Sequence, residues 1–143
     1  MQPALFDTSI YIAALRGADA SVLAVRGLAA GAPLWLSAVV LEELYAGAGT
    51  RERHHLERLE RDFDKARRIA LPSLADWAGA GRLLARLAAK YHYEQIGRGR
   101  LTNDALIAVS AGRLGIRVIT ANERDFGRLA EFWPFQWQLS SLH

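Results

Sequence analysis

Apolar residues in this chain fall into short runs that alternate with longer segments of helical spacing. Ala4-Leu5-Phe6 is a brief apolar run ending at Asp7 and reads as a buried strand. Ile10 to Leu15 begins a helix that Gly17 closes, and Val22 to Ala30 is a second helical stretch stopped by Gly31. Leu34-Trp35-Leu36 is the next strand, and Ser37 is placed to cap a helix over Ala38 to Ala46, ended by Gly47 and Gly49. In the charged segment Arg51 to Arg67, Leu56, Leu59 and Phe63 recur at helical spacing, which predicts an amphipathic surface helix. Ile69-Ala70-Leu71 predicts a strand leading into Pro72, after which Ser73 caps a helix from Leu74 to about Tyr91. Tyr93 to Leu101 reads as a basic loop. Thr102 reads as the cap of an apolar helix, Asp104 to Leu114, with Gly115 at its stop. Ile116 to Thr120 is a β-branched strand, Asn122 to Phe126 a loop or turn, and Phe135 to Leu139 alternates as a last strand.

Strands alternating with helices imply an α/β fold: a three-layer sandwich with a central, mainly parallel sheet covered on both faces. The 143 residues contain no repeat, low-complexity tract or Pro/Ser-rich linker, so residues 1–143 are expected to form a single domain. The chain has no cysteine, which excludes disulfide scaffolds, Cys-ligated zinc and thiol catalysis. No apolar run approaches the roughly 20 residues that a membrane span needs. Met1 to Phe6 shows no secretory pattern, so the expectation is a cytoplasmic protein without a membrane partner. The net charge is only +3, but Lys65 and Lys90 are the sole lysines among 18 cations. An arginine-dominated chain with a pI near 9.7 points to nucleic acid, although codon bias accounts for the arginine as readily.

In open parallel sheets, sites form at the carboxyl ends of the strands. Asp7 directly follows the first strand, and Glu43 lies in the second turn of the helix after the second. Asp104 falls in the first turn of its predicted helix, and Asp125 lies a few residues past the Ile116–Thr120 strand. Taken singly, each acid has an ordinary reading: a strand-end residue, a solvated helix acid like Glu42, an acid favoured by the helix dipole, a turn former. Together they can converge on one edge of the sheet. Four carboxylates at one place would repel one another, and a hard divalent cation such as Mg²⁺ or Mn²⁺ relieves that conflict. Sites of this kind hydrolyse phosphodiesters.

Four segments occur in order: Leu5-Phe6-Asp7-Thr8-Ser9, Glu43-Leu44-Tyr45-Ala46-Gly47, Asp104-Ala105-Leu106-Ile107-Ala108 and Thr120-Ala121-Asn122-Glu123-Arg124-Asp125-Phe126. On these the chain resembles, over essentially its whole length, the PIN-domain ribonucleases, most closely the VapC-type toxins of toxin–antitoxin pairs. The resemblance implies a PIN-like fold and a Mg²⁺- or Mn²⁺-dependent endoribonuclease acting as a toxin. Asp7, Glu43, Asp104 and a fourth acid would surround the metal. It favours Glu43 over Glu42, since the family motif is Glu-Leu-x-x-Gly, and makes Ser9, with Thr8, a supporting residue. Many members carry Asp where this chain has Asn122, so Asp125 takes the fourth acidic role and Asn122 a supporting one. The implied partners are an RNA substrate, a small antitoxin lying beside the acidic site, and a second copy of the chain in a homodimer.

In Gly97-Arg98-Gly99-Arg100, Arg98 and Arg100 could meet RNA phosphates, with a plain surface loop as the alternative. His54-His55 lacks a His-Glu-x-x-His pattern and reads as solvated. Trp77, Trp133 and Trp137 are expected in the core rather than stacked on bases, and Trp35 in the core or a dimer interface. Two alternatives accompany the nuclease reading. One is a catalytically inactive RNA-binding PIN domain. The other is a haloacid-dehalogenase-like phosphatase, which needs a second acid where Ser9 stands and a lysine near the late strands. Neither a Gly-x-Gly-x-x-Gly after the first strand nor a phosphate-binding Gly-x-x-x-x-Gly-Lys-Ser/Thr loop is present.

Overall fold

The first apolar run becomes the middle of the sheet. The computed structural model describes residues 2–16, 31–92 and 98–140, with the side chains of 16 and 98–100 outside that description. Its elements are β1 (Ala4–Phe6), α1 (Thr8–Arg16), β2 (Leu34–Ser37), α2 (Ala38–Gly47), α3 (Thr50–Lys65), β3 (Ile69–Ala70), α4 (Leu74–Tyr91), α5 (Arg98–Leu114), β4 (Arg117–Thr120), α6 (Glu123–Ala130) and β5 (Trp137–Leu139). The strands are ordered β3-β2-β1-β4-β5, and every neighbouring pair is parallel. Leu5 pairs with Trp35 on one side and Val118 on the other. Helices cover both faces, so the strands are short unbroken apolar runs, and Ala4, Leu5 and Phe6 are fully buried. The expected α/β sandwich is the fold found.

Local signals set the element ends. Ser37 Oγ accepts from Val39 N at 3.2 Å and starts α2 immediately after β2. Ser73 and Asp76 form a reciprocal capping box at the start of α4. Gly115 ends α5 at φ +70, a left-handed conformation that glycine adopts without strain. Leu56, Leu59 and Phe63 form the buried stripe of α3.

The structure departs from the sequence pattern in several places; β4 begins at Arg117 rather than Ile116, and β5 at Trp137 rather than Phe135. The helix expected from Asp104 begins at Arg98, so residues 98–101 are helix rather than loop, and Thr102 is interior rather than a cap. The longer helix buries Leu101 in the same stripe as Ala105 and Ala108. Asn122 to Phe126 is not a loop: Asn122 caps α6, which buries Phe126 and Leu129. Leu71 lies outside β3 and is 65% exposed. Trp77 is 56% exposed instead of packed in the core, whereas Trp35, Trp133 and Trp137 do pack against it. The helix expected over Val22 to Ala30, the stop at Gly17 and most of the basic loop lie outside the described residues. Among the described residues no helix is long and apolar enough to cross a membrane.

The last strand is led in across α5 at a point where no side chain fits. A Cβ on Gly112 would stand 2.7 Å from the Pro134 carbonyl oxygen and 3.2 Å from Phe135 Cβ. Gly112→Ala should gain up to about 1 kcal/mol of helix propensity. Overpacking against fixed backbone costs about 1–3 kcal/mol, so a net loss of stability is expected in urea unfolding. A variant more stable than the parent would show that the segment before β5 is free to move aside.

Candidate functional site

Asp7 stands at the carboxyl end of the central strand, where its backbone N–H donates to Ile119 O at 3.1 Å and continues the sheet for one more residue. Its side chain turns inward and is 3% exposed. Ser9 Oγ donates to Asp7 Oδ1 and Thr120 Oγ1 donates to Asp7 Oδ2, both at 2.6 Å. Each hydroxyl is itself oriented by a backbone donor: Ala121 N reaches Ser9 Oγ at 3.3 Å, and Asn122 N reaches Thr120 Oγ1 at 2.9 Å. The two hydroxyl protons are thereby directed at the carboxylate. Burial pushes the Asp7 pKa up, and the hydrogen bonds from Ser9 and Thr120 offset part of that rise.

The hydrogen bonds continue outward from Thr120. Asn122 caps α6 by accepting from Asp125 N at 3.3 Å, and its side-chain amide donates to Asp125 Oδ2 at 2.9 Å. Arg124 Nε lies 3.4 Å from Asp125 Oδ1. On the other side of Asp7, Thr8 Oγ1 donates to Glu43 Oε1 at 2.7 Å, which ties the start of α1 to the second turn of α2. Glu42 is exposed and Glu43 half-buried. Asp104 is 7% exposed and lies in the second turn of α5, not the first, because the helix starts earlier than expected. Helices α2 and α5 pack against each other.

Hydrogen bonds therefore join Asp7, Ser9, Thr120, Asn122 and Asp125, and Thr8 sets Glu43 beside them. Asp104 comes from a separate helix. Arg98 and Arg100 open α5, but their side chains lie outside the described residues. Among the described residues, no three acidic or imidazole side chains stand close enough together to coordinate a metal as they are oriented here. Glu43 faces Thr8 and Asp125 faces Asn122. The donors are all oxygen, and the partners of Asp7 are neutral hydroxyls and backbone amides that leave its charge uncompensated. Such donors suit a hard divalent cation and offer nothing to a soft one. Ser9 serves the Asp7 carboxylate instead of supplying a second acid, which removes the phosphatase arrangement.

Sequence reasoning missed Thr120. It reads there as one more β-branched strand former, and only the parallel pairing of β1 with β4 reveals that it faces Asp7. An apolar recess of about 190 Å³ also lies beside Glu43, lined by Ile12, Leu15, Leu44, Gly47 and Glu52 among others.

The chain's fold recurs in solved structures. DNA-bound VapBC from Salmonella typhimurium is 22% identical, with 97% of this chain and 98% of that one covered at a TM-score of 0.67. VapBC2 from Rickettsia felis, bound to a fragment of its promoter, is 22% identical over 96% and 98% at 0.65. VapBC-5 from Mycobacterium tuberculosis, described as a member of the VapBC family of toxin-antitoxin systems, is 24% identical over 98% of each chain at 0.54. Compared with curated protein sequences, the chain finds no match. The PIN domain family matches residues 4–132, which span every element from β1 to α6 and all four acids. The chain belongs to the PIN domain family.

Proposed function

We propose that this protein is a Mg²⁺- or Mn²⁺-dependent endoribonuclease acting as the toxin of a toxin–antitoxin pair. One observation carries the reading: in a PIN domain, a buried carboxylate sits at the tip of the central strand, held by two hydroxyls, with Glu43 secured next to it through Thr8. Asp7, Glu43 and Asp104 would hold the cation, with Asp125 as the fourth acid. When bound, such an ion orients and acidifies a water and offsets charge on the phosphorus. Ser9 and Thr120 keep Asp7 from rotating, so its oxygens are positioned in advance. Asn122 does the same for Asp125.

The toxin assignment is supported by the VapBC complexes whose fold this chain shares. The recess beside Glu43, between α1, α2 and α3, suits an apolar side chain of a small antitoxin. A homodimer and a cytoplasmic location belong to the same reading.

The purified protein is expected to cut RNA with Mg²⁺ or Mn²⁺ and to stop when EDTA is added. Asp7→Asn and Asp104→Asn should reduce cleavage to background. Thr120→Val, which keeps the shape and removes the hydroxyl, should lower it by about 10–100-fold. Undiminished cleavage in EDTA would overturn the metal mechanism. For the fourth acid, Asp125→Asn should cost more activity than Asn122→Ala, and the reverse order would assign the role to Asn122.

Stability gives a readout independent of activity. The folded pKa of Asp7 is raised above 3.8, so ionised Asp7 weakens the fold. Its favourable contribution is fully present below 3.8 and is lost as pH rises through the folded value. Without divalent ions, Asp7→Asn should therefore melt higher than the parent at pH 7, and the advantage should vanish as pH falls toward 3.8. Mg²⁺ should raise the melting temperature of the parent and leave the variant unchanged. Equal shifts in both proteins would place the cation elsewhere.

A further inference from the structure

A second surface stands out away from the acids. Arg82, Arg86 and Lys90 recur every four residues along the exposed side of α4, about 6 Å apart along the helix axis. Beside this row, a shallow open depression adjoins a recess of about 460 Å³, and the two share Arg86 and Phe132. Arg86 Nη1 donates to Phe132 O at 3.4 Å, which holds the helix against the segment that follows α6. Lys90 forms an ion pair with Glu131 and lies 5.7 Å from the centre of the Phe132 ring. Glu131 is thereby neutralised. Among the described residues neither Arg82 nor Arg86 is in an ion pair, so the groove carries their two positive charges.

We infer that this groove is a binding track for single-stranded RNA, distinct from the acidic site. Arg82 and Arg86 would contact consecutive phosphates, and the half-buried Phe132 ring would offer a face for one base. The choice of RNA as occupant rests on the nuclease reading and on charge complementarity. Leu83, Trp133 and Pro134 line the recess beside Phe132 as well, so the two unpaired guanidinium charges, and not the apolar lining, select a polyanion. Helix α6 connects the two regions in the chain. It carries Asp125 in its first turn, and Glu131 and Phe132 follow directly after its end, about 9–10 Å farther along its axis.

The test is binding of a fluorescein-labelled 12-nucleotide single-stranded RNA of mixed sequence to the full chain in EDTA, followed by anisotropy across a salt series. Arg82→Gln/Arg86→Gln keeps good helix formers on α4. It is expected to weaken binding tenfold or more and to reduce the slope of log affinity against log salt by about 1.4, for two lost phosphate contacts. Arg58→Gln/Arg61→Gln makes the same change in net charge on α3 and should leave affinity within twofold. In cleavage with Mg²⁺, the α4 variant should raise KM far more than it lowers kcat. Wild-type affinity and slope in the α4 variant would overturn the proposal. So would failure of the parent to bind RNA, or a loss confined to a glutamate-rich 12-residue peptide, which would make the groove a protein dock. Because binding is read without metal, arginine-dependent binding by a protein that cuts nothing would keep the track and overturn the nuclease.

Discussion

A carboxylate buried at the end of a central strand is a cost that the surrounding structure has to meet. Desolvation disfavours the charged form of Asp7, and two hydroxyls with their protons directed inward recover part of that loss. Those hydroxyls come from α1 and from β4, so the neighbours on both sides of the carboxylate must be in register. The parallel pairing of Phe6 with Ile119 supplies that register, and the caps at Ser37 and Asn122 start α2 and α6 at the same edge of the sheet. The positions of Glu43 and Asp125 follow from these constraints.

Much of this organisation is legible in the sequence because its signals are local. Short apolar runs ended by polar residues mark strands buried on both faces, and Ser37 and Ser73 mark helix starts by a chemistry that acts within three residues. The misreadings arise where a local signal competes with burial. Thr102 resembles a cap, yet α5 extends past it because Leu101 can join the buried stripe. Asn122 resembles a turn residue because a capping asparagine and a turn asparagine use the same side-chain bond to the backbone. Thr120 is opaque for another reason: its partner Asp7 is 113 positions away, and no local pattern encodes that contact.

The arginine excess also separates into distinct tasks once positions are known. Arg113 is structural: its Nε donates to both oxygens of the buried Asp76 at 3.1 and 2.9 Å, and its Nη2 donates to Leu71 O at 3.0 Å. That arrangement fastens the end of α5 to the start of α4 with a fork that lysine does not have. Among the described residues, Arg82 and Arg86 on the outer side of α4 form no such bond to an acid. A net charge of +3 says little, since some cations hold helices together and others face solvent in a row.

The order of strands in the sheet has a consequence for how the molecule comes into being. A chain emerges from the ribosome N-terminus first, and contacts between distant residues form late. Strand β1 is made early but completes its pairing only when β4 arrives, and the same arrival brings Thr120 to Asp7. A polypeptide interrupted before that point has a central strand paired on one side only and a carboxylate that lacks the Thr120 hydroxyl. Translation products that end before β4 therefore lack an assembled site, and whatever chemistry the site performs is withheld until β4 has been made.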